Sequence, residues 1–290
     1  MKSKYARWWI GARPRTLPAS VVPVLIGAGC ASGIDGAVWW RVVPAMAVSL
    51  ALQVGVNFAN DYSDGVKGTD VERVGPVRLV ASGLATAGEV KRAAFASFGF
   101  AAVMGLVLAV ATTLWLIPIG VACIAAGWFY TGGPSPYGYA GLGEAFVFVF
   151  FGLLATAGTT YVVVEELPSL AIVAGATTGL LACALLVINN LRDIPTDRVS
   201  GKRTLAVRLG DSKTRGLFAI MILGSGVGVV SCGLQRPLAW VALIGFAAAV
   251  APLKAVRNGA TGGALIPVLG MTARLQMLAG ALLAAGLALG

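Results

Sequence analysis

The sequence predicts an all-α fold, a polytopic membrane bundle of nine transmembrane helices with the N-terminus on the cytoplasmic side. Three observations carry this. Charged residues are 12% and hydrophobic residues 58% of the 290 positions, whereas an ordinary soluble domain carries about 25% charged residues. Nine stretches approach the roughly 20 apolar residues that a bilayer core demands of a helix. All but two of the basic residues fall on one side of those stretches, which sets the orientation.

Taken in order, the stretches run 17–33, 38–58, 90–111, 114–130, 142–164, 170–190, 217–233, 238–254 and 271–289. The first follows a basic N-terminus and resembles a secretion signal. Pro14, Pro18 and Pro23 interrupt the approach to it, and no lipoprotein cleavage pattern precedes Cys30, so it reads as an uncleaved first helix. Trp8, Trp9, Trp39 and Trp40 stand where an interfacial aromatic belt is expected. Thr112 and Thr113 mark the tightest turn. The Gly29/Gly33, Gly175/Gly179 and Gly224/Gly228 pairs have the spacing that lets membrane helices approach closely. With the N-terminus inside, all of the 22 Lys and Arg except Arg41 and Arg236 lie on the inner side. The longest loops, 59–89 and 191–216, also lie there. Loops of that length are usually functional or disordered, and none has room for a second domain. The chain therefore reads as a single membrane-embedded domain in the plasma membrane, with any active site facing the cytoplasm.

Composition also excludes chemistry. There is no His, and Cys30, Cys123, Cys183 and Cys232 sit singly in apolar runs. Zinc sites, a haem axial His and a Ser-His-Asp triad are thereby ruled out, and the cysteines read as small core residues. The net charge of +10 fits loops held against an anionic membrane face. No nucleic-acid module accompanies it, so the expected partners are the bilayer and small substrates.

Two polar segments stand apart. Asn57-Phe-Ala-Asn-Asp-Tyr-Ser-Asp64 ends the second stretch, and Asn189-Asn-Leu-Arg-Asp193, with Asp197 and Lys202 beyond, ends the sixth. Acidic groups at a membrane boundary are expensive unless compensated, which marks them as functional candidates. Asn57, Asn60, Asp61 and Asp64 recur at three and four residues, one face of a continuing helix. Gly65 and Gly68 are expected to end that helix. Asp193 and Asp197 share a face in the same way, although Pro195 argues against a regular helix there. Hard oxygen donors of this kind suit Mg²⁺, an ion that keeps several waters and is shared with substrate phosphates. Two such half-sites facing each other would hold a diphosphate between them. Asp70, Glu72 and Glu89 read as solvated carboxylates. Glu144 opens a helix, where the dipole favours a first-turn carboxylate.

These motifs resemble the UbiA superfamily of intramembrane prenyltransferases over essentially the whole chain. The resemblance rests on Asn60-Asp61-x-x-Asp64 with Asp193-x-x-x-Asp197. It is strengthened by Arg13-Pro-Arg-Thr-Leu-Pro18, Gly75-Pro-Val-Arg-Leu-Val-Ala-Ser-Gly83, Tyr130-Thr-Gly-Gly-Pro-Ser-Pro-Tyr-Gly138 and Gly201-Lys-Arg-Thr-Leu-Ala-Val-Arg-Leu-Gly210. Within the superfamily it looks most like the menaquinone-forming branch. Many members carry a third Asp where this chain has Gly68, and Asp70 follows two residues later. The resemblance implies Mg²⁺-dependent transfer of a polyprenyl group from its diphosphate to an aromatic acid, with loss of CO₂ where the acceptor is 1,4-dihydroxy-2-naphthoate. On that reading Asp61, Asp64, Asp193 and Asp197 are catalytic, and together with Asn57 and Asn60 they form the metal and diphosphate set. Lys67, Arg78 and Lys202 are diphosphate contacts. Tyr62, Tyr130 and Tyr137 face the acceptor or the allylic cation.

Other readings compete. Acceptors such as 4-hydroxybenzoate or homogentisate belong to the same superfamily. A CDP-alcohol phosphotransferase motif begins at Asp61-Tyr-Ser-Asp64-Gly65 but is broken at Lys67-Gly68, and nine spans are too many for it. A transporter would place its charges near mid-membrane, whereas here they cluster at one face.

Overall fold

The computed structural model describes residues 4–68 and 77–290; Asp70 and Glu72 lie outside them. All regular structure among the described residues is helical. A short α1 (Lys4–Ala12) leads through a tight turn to α2 (Pro18–Ala31). Then come α3 (Val42–Lys67), α4 (Ala87–Ala111) and α5 (Leu116–Phe129). The next crossing is built from α6 (Gly143–Val147), a π-helical segment (Phe148–Leu154) and α7 (Ala155–Val164). The long α8 (Ser169–Val199) is followed by α9 (Leu205–Leu209) and α10 (Asp211–Gln235). Two short helices, α11 (Ala242–Gly245) and α12 (Val250–Arg257), together make one crossing, and α13 (Leu265–Leu289) closes the chain.

Among the described residues, seven helical runs are long and apolar enough to cross a membrane, two fewer than the nine predicted. The difference lies in α2 and α5, each of 14 residues. At 1.5 Å per residue these span about 21 Å, short of the ~30 Å hydrocarbon core. The protein is a multi-pass membrane protein, and its class is as predicted. Two predicted single helices are broken. The crossing 143–164 passes through π turns, and the crossing 237–257 through 3₁₀ turns at 237–241 and 246–249.

Helix ends follow local chemistry. Thr86 caps α4 in a reciprocal box: its hydroxyl accepts from the Glu89 N–H, and Glu89 Oε2 accepts from the Thr86 N–H at 2.8 Å. Glu89 also pairs with Arg7 at 3.2 Å, so it is an organised cap rather than a loosely solvated charge. α3 runs past Phe58 to Lys67 and ends where Gly68 takes a left-handed conformation at φ +70°. α8 continues through Pro195 instead of ending before it. The proline lies within the last turn and a half, where few helical bonds remain to be lost, and Thr196 and Ser200 hydroxyls bond the Asp193 and Asp197 carbonyls.

α8 is the most enclosed of the crossing helices. It packs against α10, the π segment, α13 and α2. Small residues make the approaches. A Cβ on Gly152 would lie 2.4 Å from the Gly179 Cα, and one on Gly228 would meet the Thr177 side chain. The two Arg outside the basic loops are clamps at the end of the bundle opposite the acidic motifs. Arg41 bonds the Ala111 carbonyl at 2.5 Å and Glu165 at 2.7 Å; Arg236 bonds the carbonyls of Gly29, Ser32 and Leu287. Both neutralise helix C-termini whose carbonyls lack helical partners.

Candidate active site

The two polar segments meet at one end of the bundle, because α3 and α8 both finish there. Asp64, on the last turns of α3, is only 4% exposed. Its Oδ1 accepts from Lys202 Nζ at 2.9 Å and from the Tyr139 hydroxyl at 2.5 Å, and Arg78 Nη2 lies 3.7 Å from Oδ2. Lys67 and Lys202 stand 4.8 Å and 4.6 Å from the centre of the Tyr139 ring. Three cations thus gather around one carboxylate and one aromatic ring, a local excess of positive charge suited to a polyanion.

The second motif supplies the lysine. The Asp197 carbonyl accepts from Lys202 N–H at 2.9 Å, and its Oδ2 accepts from the Thr204 hydroxyl at 3.5 Å. Asp197 therefore shapes the turn that aims Lys202 at Asp64. Asp193 is held by both forks of Arg192, at 2.7 and 2.8 Å, a strong bidentate geometry. The Arg203 N–H donates to the Tyr139 carbonyl at 2.9 Å. Tyr139 thus joins both motifs, one through its hydroxyl and one through its backbone.

The other predicted residues fan out from this centre. Asp61 is fully buried, and its two oxygens accept the N–H groups of Leu79 (2.8 Å) and Val80 (3.0 Å). It pins the strand of chain that carries Arg78. The Asn60 Oδ1 accepts from the Thr131 hydroxyl at 2.7 Å, while Lys67 donates to the Thr131 carbonyl at 2.8 Å. Asn57 turns toward the N-terminal segment: it donates to the Ala12 carbonyl and Thr16 hydroxyl and accepts from Gln53. Tyr62 does not join the site. It stacks on Trp128 at 6.0 Å beneath Lys91, on the α4–α5 side of α3. A one-residue step around a helix is about 100°, so neighbours of Asp61 cannot all face the same way.

Below the charged mouth lies an apolar cavity of about 210 Å³. It follows α3 from Ala45 to Val56, about 16 Å of helix, with α5 on one side and the π segment on the other. Tyr130 and Tyr137 are among the residues that line it. Tyr137 meets Tyr130 edge-on at 5.5 Å and stacks on Phe146 at 3.9 Å. Its hydroxyl donates to the Ala126 carbonyl at 2.7 Å, and burial raises the phenol's pKa, keeping it a donor. π turns recur at functional sites because they re-aim side chains; here they lie along the cavity wall.

The helical fold, with carboxylates and cations over a greasy cavity, defines a membrane enzyme that handles a lipid with an anionic head. The chain belongs to the UbiA prenyltransferase family, whose model matches residues 20–259. It is 50% identical over 284 residues to 1,4-dihydroxy-2-naphthoate octaprenyltransferase of Mycobacterium tuberculosis, covering 98% of this chain and 97% of that one. The enzyme of the same name from Escherichia coli is 38% identical over 237 residues, covering 77% and 75%. Among solved structures, a UbiA homolog from Archaeoglobus fulgidus bound to GPP and Mg²⁺ aligns with a TM-score of 0.66 at 15% identity, covering 97% and 99%. That likeness concerns the fold.

Among the described residues, no three His, Cys, Asp or Glu side chains converge into a ready-made metal cage. The donor chemistry still fits a hard divalent cation. Mg²⁺ commonly takes one or two carboxylates and leaves its remaining positions to water and phosphate oxygens.

Proposed function

We propose that this protein transfers a polyprenyl group from polyprenyl diphosphate to 1,4-dihydroxy-2-naphthoate, releasing diphosphate and CO₂ and giving the hydroquinone demethylmenaquinol. The observation that carries the reaction class is the juxtaposition of Asp64, Lys202, Arg78 and Tyr139 over an apolar cavity. The near full-length similarity to naphthoate prenyltransferases supports the acceptor.

The diphosphate head sits among Lys67, Arg78 and Lys202, and its apolar tail extends into the cavity. Asp64, Asp193 and Asp197, with Asn60, would hold Mg²⁺, which neutralises leaving-group charge when bound. Asp61 acts by fixing Arg78, and Asn57 by fixing the N-terminal segment against α3. As the C–O bond breaks, Tyr130 and Tyr137 offer aromatic faces to the allylic cation. The apolar walls exclude water, which would otherwise capture that cation. The bias of Lys and Arg toward these loops supports a mouth that faces the cytoplasm.

The test uses purified protein in nanodiscs with Mg²⁺, a polyprenyl diphosphate and ¹⁴C-carboxyl acceptors. Release of diphosphate and labelled CO₂ with the dihydroxynaphthoate, and not with 4-hydroxybenzoate or homogentisate, is the expected result. Diphosphate release only with another acid reassigns the acceptor. No diphosphate release with any acceptor contradicts the enzyme reading.

A further inference from the structure

Glu144 opens the crossing helix, two residues before the cavity-lining Phe146, and is 6% exposed. Its Oε1 accepts from Asn190 Nδ2 at 2.9 Å. Its Oε2 is equally enclosed yet has no hydrogen-bond partner among the described residues. Asn190 stands one turn before Asp193 on α8 and shares its face. Tyr130 lies within electrostatic reach of Glu144, Asp64 and Asp197 together, and its hydroxyl passes next to Gly143. Glu144 is thus a neighbour of the mouth, set one layer deeper.

A carboxylate that merely capped this helix would turn its oxygens to the unpaired amides of the first turn. An orphaned buried acceptor is costly, and a donor arriving with a ligand removes that cost. The adjoining wall is made of flat rings, Tyr130, Tyr137 and Phe146. We infer that Glu144 reads a ring hydroxyl of the aromatic acceptor: the hydroxyl donates to Oε2, while Asn190 holds the other oxygen in place. This deepens the function proposed above and rests on it. The cationic mouth attracts the acceptor's own carboxylate, so the two ends of the site together set the ring's orientation. The hydrogen bond also draws electron density onto the ring, and no proton needs to leave.

The experiment compares 1,4-dihydroxy-2-naphthoate with analogues lacking one ring hydroxyl, used as competitive inhibitors of the nanodisc enzyme. Wild type is expected to bind at least one deoxy analogue about 10- to 100-fold more weakly than the dihydroxy acid, the range for a hydrogen bond to a charged group. Glu144→Gln, which turns the free oxygen into an N–H₂ donor, is expected to weaken the dihydroxy acid by a similar factor and abolish the discrimination. The KM for prenyl diphosphate should stay within about twofold, a split that general misfolding would not produce. Unchanged discrimination in Glu144→Gln overturns the inference, as does equal weakening of every analogue. If that variant does not fold, wild type alone decides: equal binding of both deoxy analogues and the dihydroxy acid also overturns it. Absence of transfer to any hydroxynaphthoate would instead strike the acceptor assignment on which this inference depends.

Discussion

Tyr139 combines two kinds of contact, a hydroxyl bonded to Asp64 and a ring flanked by Lys67 and Lys202. A hydrogen bond to a charged group is worth about 1.5–3 kcal/mol and each exposed cation–π contact about 0.5–1 kcal/mol. Tyr139→Phe should therefore lower kcat/KM for prenyl diphosphate about 10-fold or more, and Tyr139→Ala further still; steady-state kinetics on purified protein check both. The residue was not legible in the sequence. It lies in a Gly- and Pro-rich turn without a Lys or Arg, and its partners are 75 residues before it and 63 after it along the chain. Asp64, Lys202 and Arg78 were legible, because charge at a membrane boundary demands explanation. The division of labour between Asp61 and Asp64 was not, since it depends on where the 77–85 segment folds back.

At the scale of elements, apolar length located every crossing, and the errors have physical causes. Hydropathy does not register a short helix extended by turns, which is why α2 and α5 read as full spans. Nor does it register a π turn or a 3₁₀ step, because those change hydrogen-bond pairing without changing composition. Pro195 misled in the opposite direction: α8 carries it within its last turn and a half, as α2 carries Pro23 in its body. Glycine spacing was informative where two backbones touch. Gly152→Leu should drive a side chain into the Gly179 backbone, costing about 1–3 kcal/mol or more by overpacking. Thermal unfolding in detergent should show a melting temperature several degrees below wild type. Gly216→Leu, a site with open space around its Cβ, should melt close to wild type.

In the molecule as a whole, distant segments of the chain converge on one mouth. Segments separated by 138 residues, at the ends of α3 and α8, come into contact through Lys202 and Asp64. The loop between α5 and α6 closes over them, and the cavity below receives what the mouth holds by its head. The central claim is that the two segments act on one diphosphate. A double-mutant cycle tests it most directly: Mg²⁺-dependent binding of polyprenyl diphosphate to wild type, Asp64→Ala, Asp193→Ala and the double variant in nanodiscs. Strong non-additivity is expected, with the double variant binding at least about fivefold more tightly than the product of the single losses, a coupling of about 1 kcal/mol or more. Strict additivity, or undiminished binding in either single variant, would contradict it.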